Sequence, residues 1–321
     1  MQRFFSYKYY AHKKQHTASK TKALFALGWV SFIWGTTWLA SKIGVTYMPA
    51  LQMSGIRQFI GGILLIMFFV FKNQPLPKGR QWATIFVLSI LNFMLSNGLS
   101  TWGIKFISSG LGSIISAIFP LWLVLITMIA GKRMPLQAII GLLMGFGGVC
   151  IIFYEHLKDF LNADFRFGIF LSLIATVTWA FGTLYTKQQA VNFNPYFSVG
   201  IQMLIAGIIL SLVAHASGNA IPLADIPSTS WWAISYLVLF GSITTFIIYV
   251  YSLQHLPAAL ASVYAYINPI VAVLLGAILL GEKLTLFIGV GGIITIAGVY
   301  LVNNSLKKPV TAAELKPENE I

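Results

Sequence analysis

Trp34, Trp38, Asn97, Trp179, Tyr266 and Asn268 are the side chains of this sequence best suited to holding a small molecule. Indole and phenol rings stack on a ligand ring or cation, and carboxamides supply donors and acceptors together. Trp34 and Trp38 lie one helical turn apart and share a face. Trp38 and Tyr185 are near segment ends, where an interfacial anchor is the competing reading. Trp34 and Trp179 lie deeper, and there cavity wall and bundle packing compete evenly. Polar groups accompany the rings: Asn92, Ser96 and Ser100 at four-residue steps with Asn97 and Thr101 beside them, and Thr244, Thr245 and Tyr249 further on. In a membrane such groups either join helices or line a polar path.

Two charges stand with them. Arg57 is set inside an apolar segment, where a charge is expensive and functional by default, as a gate or an anion contact. The alternative is outward snorkelling, since the segment edge is about 9 Å away at 1.5 Å per residue. Glu282 sits at a segment end, where a turn cap or pairing with Lys283 competes with a gating role. No other carboxylate lies near mid-segment, so coupling through a buried acid is not supported.

Enzyme chemistry finds no footing. His12, His16, His156, His215 and His255 stand in tails or near segment ends, with no nucleophile or carboxylate at a catalytic spacing. Cys150 is the only cysteine, so neither a disulfide nor a cysteine metal cluster can form. There is no phosphate-binding loop of the G-x-x-x-x-G-K-[ST] form. We expect no cofactor, no metal and no catalytic residues.

The elements that must position these residues are apolar and long. The 321 residues are 57% hydrophobic and only 9% charged, with mean hydropathy +0.80. A membrane-crossing helix needs about 20 apolar residues. Ten such segments fit, at 23–42, 51–71, 82–103, 109–130, 136–154, 168–186, 196–214, 231–252, 259–280 and 286–303. Nothing alternates with the period of a membrane strand. The expected fold is an all-α integral membrane protein.

The chain also repeats itself. Trp34, Lys42, Ile56, Ile60, Gly62 and Leu65 recur 145 residues later as Trp179, Lys187, Ile201, Ile205, Gly207 and Leu210. Ser113 and Pro120 recur at 149 as Ser262 and Pro269, and Gly131 and Gly148 at 150 as Gly281 and Gly298. This predicts a first five-helix repeat over 23–154 and a second over 168–303, between a basic tail at 1–22 and a disordered tail at 304–321. Pro120 and Pro269 each remove an amide donor in mid-segment and are read as matched kinks. Matched interruptions near the midplane are the best sequence pointer to a membrane binding site.

Net charge +13 would suggest nucleic acid in a soluble chain. Here fifteen of the 21 Lys and Arg fall on the side of the termini, five on the other, and Arg57 within a span. That is the positive-inside bias, which places both termini in the cytoplasm and makes the bilayer, not nucleic acid, the partner. Five spans per repeat is odd, so the second copy enters inverted, giving ten transmembrane helices as two inverted five-helix repeats. Gly141 and Gly145 on the fifth span, and Gly289 and Gly292 on the tenth, form faces for close helix approach. Those spans are expected as support or dimer helices, which leaves room for a homodimer.

Several short stretches resemble the drug/metabolite transporter superfamily in its EamA branch of ten-helix bacterial carriers. They are Trp34-Gly35-Thr36-Thr37-Trp38, Pro49 to Arg57, the prolines at 120 and 269, and Gly281-Glu282-Lys283. The first half departs at Lys132, where the family usually has glutamate. The resemblance implies alternating access around a cavity between helices 1–4 and 6–9, export of amino acids or other small metabolites, and a bacterial inner membrane. The expectation is a secondary transporter of a small-molecule substrate. Its alternatives are a non-transporting membrane scaffold and a membrane-embedded enzyme.

Overall fold

The computed structural model describes residues 17–129, 131, 134–155, 157–189, 193–256 and 264–305, and every regular element among them is helical. Besides two short 3-10 turns, Asp159–Leu161 and Leu223–Asp225, these are in chain order α1 Thr17–Tyr47, α2 Ala50–Phe71, α3 Arg80–Gly103, α4 Ser109–Ile129, α5 Leu136–Glu155, α6 Ala163–Gln189, α7 Pro195–Ala216, α8 Ser228–His255, α9 Tyr264–Leu280 and α10 Leu286–Ser305. α1 to α8 are long and apolar enough to cross a membrane; α9 and α10 carry shorter apolar stretches, Ile267–Leu280 and Leu286–Val302. The start expected for the ninth segment, at 259–263, lies outside the described residues, as do the tail residues 1–16 and 306–321.

Burial is distributed as a lipid solvent demands. Phe25, Phe71, Leu143, Trp232 and Leu286 are exposed, whereas Ser54, Gln58, Ser89, Thr245 and Thr295 are buried. Carboxamides and hydroxyls thus turn inward and hydrocarbon outward.

Two helix ends match at the offset of 145 residues. α2 closes on Asn73 with φ 52 and α7 on Gly218 with φ 67. Each left-handed residue is followed by an amide that reaches back into the last turn, Gln74 to the Phe69 carbonyl and Asn219 to the Ala214 carbonyl, both at 3.0 Å. All three pairs of residues are 145 apart.

α2 and α7 cross in close contact through matched glycines. A methyl on Gly62 would strike the Leu204 backbone, and one on Gly207 the Phe59 backbone. Leu204 and Gly207 are the counterparts of Phe59 and Gly62 at the 145 offset, so each contact has its twin and the two helices run antiparallel. α5 and α10 do the same: Gly148 meets Gly291 and Gly298 meets Gly141, partners related by 150. Gly289 and Gly292, read from sequence as a packing face, meet nothing within 4 Å. The packing face of α10 is instead Gly291 and Gly298, one residue round the helix.

Three helices are interrupted. α3 takes π-helical register over Ser89–Gly98 and α8 over Leu237–Thr244. Side chains use the wider turn: Asn97 Nδ2 donates to the Asn92 carbonyl at 3.2 Å, Thr244 to Leu239 at 2.7 Å and Thr245 to Phe240 at 2.6 Å, each five residues back. α4 breaks at Ile118, between Ser109–Ala117 and Phe119–Ile129, because Pro120 has no amide for the Ser116 carbonyl. Pro269 lies inside α9, which continues unbroken from Tyr264 to Leu280.

Candidate functional site

The helices enclose a cavity of about 120 Å³. α1 lines it with Trp34, Thr37, Trp38 and Ser41, and α3 with Ser96, Asn97, Ser100 and Thr101. α6 contributes Ser172, Ala175, Thr176 and Trp179. Arg57 enters from α2, Gly112 and Ser116 from α4, Phe246 from α8, and Tyr264 and Asn268 from α9. α5, α7 and α10 contribute nothing to its wall. On α1 the lining runs only from Trp34 to Ser41, in a helix extending from Thr17 to Tyr47, so the cavity occupies the half of the bundle toward Ser41 and Ile104.

Its floor is aromatic. The Trp34 ring lies 6.2 Å from Trp179, 5.1 Å from Phe246, 4.9 Å from Tyr249 and 5.0 Å from Tyr264, centroid to centroid. Edge-on geometries dominate, the favoured arrangement for aromatic quadrupoles. The indole donors are satisfied within this layer: Trp34 Nε1 donates to the Gly241 carbonyl and Trp179 Nε1 to the Tyr264 hydroxyl, each at 3.1 Å. Trp34 and Trp179 are therefore packed in the bundle on one side and line the cavity on the other. Trp38 lies above them, accommodated by Gly112, where a methyl would come within 3.0 Å of its ring.

Arg57 is 5% exposed, and its Nε donates to Ser242 Oγ of α8 at 2.8 Å. The guanidinium thus faces the bundle interior, and outward snorkelling is ruled out. Gln202, its counterpart in the second half, takes a matching place: it accepts from Asn92 of α3 at 3.5 Å and donates to Ser198 at 2.8 Å.

Asn268 lines the cavity and, with its amide nitrogen turned to the carbonyls of Ser31 at 2.6 Å and Tyr264 at 3.1 Å, also ties α9 to α1. Tyr266 belongs to α9, but its side chain lies outside the described residues; Tyr264, two residues earlier, supplies the tyrosine of the wall. The polar stripe on α3 divides. Ser96, Asn97, Ser100 and Thr101 face the cavity, while Asn92, one π turn away, faces Gln202. Thr244 and Thr245 turn to their own helix.

Glu282 is not part of the cavity wall. Its carboxylate accepts from the backbone amides of Ser109 at 2.6 Å and Gly110 at 3.0 Å, capping α4 where the helix dipole favours an anion. Lys42 holds the other end of the same connection, donating to the carbonyls of Ile104, Lys105 and Ile107 at 2.9, 3.3 and 2.7 Å. Among the described residues no three His, Cys, Asp or Glu cluster to hold a metal.

Sequence reasoning missed Ser172 and Thr176. Their signal was available: with Trp179 they fall at i, i+4 and i+7, one face of α6.

Long apolar helices around a polar cavity are the architecture of a helical membrane protein. The family described as the EamA-like transporter family matches residues 21–154 and again 166–304. An Escherichia coli K12 protein described as the uncharacterized inner membrane transporter YedA is 33% identical over 265 residues, 82% of this chain and 83% of its own length. The Bacillus subtilis transporter YvbV is 29% identical over 297 residues, 92% of this chain and 95% of its own. A solved crystal structure shares the fold at TM-score 0.63 and 14% identity, covering 92% of this chain and all of its own. The chain belongs to the EamA-like transporter family, as a membrane transporter of that family.

Proposed function

We propose that the chain is a secondary carrier of a bacterial inner membrane, which moves a small metabolite such as an amino acid outward by alternating access. In this reading ten spans form two inverted five-helix repeats and both termini face the cytoplasm. The observation that carries it is the polar cavity walled by helices of both halves and floored at mid-bundle by the Trp34 ring layer. The twinned antiparallel contacts of α2 with α7 and α5 with α10 support the inverted repeat. The positive-inside asymmetry supports the orientation. The cavity then opens away from the cytoplasm, and the ring layer is the closed inner gate. A scaffold would have no use for a polar compartment lined from seven helices.

The test is counterflow of a labelled amino-acid panel in proteoliposomes, with wild type, Trp34→Ala and Asn97→Ala. The proposal expects saturable exchange in wild type and at least a tenfold loss in the variants. Wild-type rates in correctly inserted variants would remove this cavity as the site.

A further inference from the structure

We propose that the cavity recognises its solute by a single carboxylate seated on Arg57. This rests on the transport reading of the same cavity, and names the chemistry of what it carries. A guanidinium has five N–H donors in a planar fork. In Arg57 one of them, on Nε, is directed to Ser242 Oγ at 2.8 Å. That bond orients the plane and leaves the paired Nη donors to a ligand. The two-donor edge matches the two oxygens of a carboxylate in a way an ammonium cannot. Arg57 is 5% exposed and lines the cavity, so the site is built into the protein interior.

Among the described residues this charge has no counter-ion in the cavity wall. None of the cavity-lining residues is acidic. The carboxylate of Glu282 is committed to the amides of Ser109 and Gly110. A buried charge without a partner is unfavourable, and an anion arriving in the cavity relieves it. Gly241 keeps the space: a methyl there would come within 3.3 Å of Arg57 Nη2 and 2.9 Å of Thr37 Cγ2.

The same inventory limits the ligand to one anionic group. Among the described residues Arg57 is the only Lys or Arg in the lining, and Lys42 near the mouth is already tied to three backbone carbonyls. A second carboxylate or a phosphate dianion would find no second cation. The rest of the wall suits a neutral, hydrogen-bonding remainder. Ser172 donates to the Gly168 carbonyl, and Thr176 donates to the Leu173 carbonyl while accepting from Trp122 Nε1 at 2.9 Å, so toward the cavity these hydroxyls have lone pairs and no proton to offer. A hydroxyl and an ammonium can both donate to such a wall. Hydroxy acids and amino acids therefore share the anchoring chemistry.

The experiment uses the purified full-length chain and two readouts. Binding is followed by quenching of tryptophan fluorescence, since Trp34, Trp38 and Trp179 line the cavity. The probes are L-alanine, L-lactate, L-phenylalanine and 3-phenyllactate, each against its primary amide, with succinate as the dianion. The proposal expects at least one acid to bind tenfold or more tighter than its amide, and succinate to bind no better than lactate. Arg57→Lys keeps part of the acid preference, and in Arg57→Gln the acid-to-amide ratio falls to near one. If Arg57→Gln does not fold, the wild-type acid-to-amide ratio and the Arg57→Lys loss decide alone. Amides binding as tightly as acids, a preference surviving in Arg57→Gln, or no quenching by any probe overturns the proposal. Counterflow in proteoliposomes separates the two claims. Acids that bind through Arg57 but never move leave the anion site standing and sink transport; neutral solutes that move without acid preference do the reverse.

Discussion

Trp34 is the residue on which the floor of the cavity turns. It contacts four other rings and fixes its indole nitrogen on the Gly241 carbonyl. Trp179 depends in the same way on Tyr264. Tyr264→Phe deletes that acceptor and keeps the ring. Thermal unfolding in detergent is expected to show a loss of about 1–3 kcal/mol, because the Tyr264 hydroxyl also bonds Tyr249 and both buried partners lose it. Glu282→Gln should weaken the cap on α4 by about 0.5–2 kcal/mol, read the same way, with little change in ligand affinity because Glu282 is not in the cavity wall. At this scale the sequence was informative about residue type and less so about direction. It marked Trp34, Trp38, Asn97, Trp179, Asn268 and Arg57, and all line the cavity. It left open whether Arg57 snorkels, because the choice depends on Ser242, 185 residues away.

Elements carry the matched contacts. Gly62→Ala and Gly207→Ala each push a methyl into the backbone of the partner helix, as Gly298→Ala does against Gly145. Overpacking of this kind costs about 1–3 kcal/mol. Gly289→Ala and Gly292→Ala meet nothing within 4 Å and should leave the melting temperature unchanged or slightly raised, by the better helix propensity of alanine. A melting series of these five variants checks the assignment of faces. The contrast shows where sequence reading stops. Gly289 and Gly292 obey the helical spacing rule, but which face of α10 meets α5 is set by the partner. The π segments were equally hidden. Four-residue steps put Asn92 in line with Ser96, and only the wider turn at Ser89–Gly98 separates them. Pro120 announced a break that occurs, whereas Pro269 sits in a helix that continues.

At the scale of the whole molecule, the 145-residue offset pairs Arg57, in the cavity wall, with Gln202, on a helix that contributes nothing to that wall. The proposed outward-opening orientation makes a prediction in cells. In a Cys150→Ser background, Thr101→Cys should react with a membrane-impermeant maleimide added outside, and Leu27→Cys, buried beneath the ring layer, should not. Equal labelling of both positions would contradict the closed inner gate. The central claim is that solute passes through this cavity, and a side chain that fills it tests that most directly. Ser100 lines a space of about 120 Å³, so Ser100→Trp occupies much of it while leaving the aromatic floor intact. Counterflow in proteoliposomes, at equal amounts of correctly inserted protein, should fall to the protein-free background in Ser100→Trp. Exchange at the wild-type rate in that variant would contradict the account.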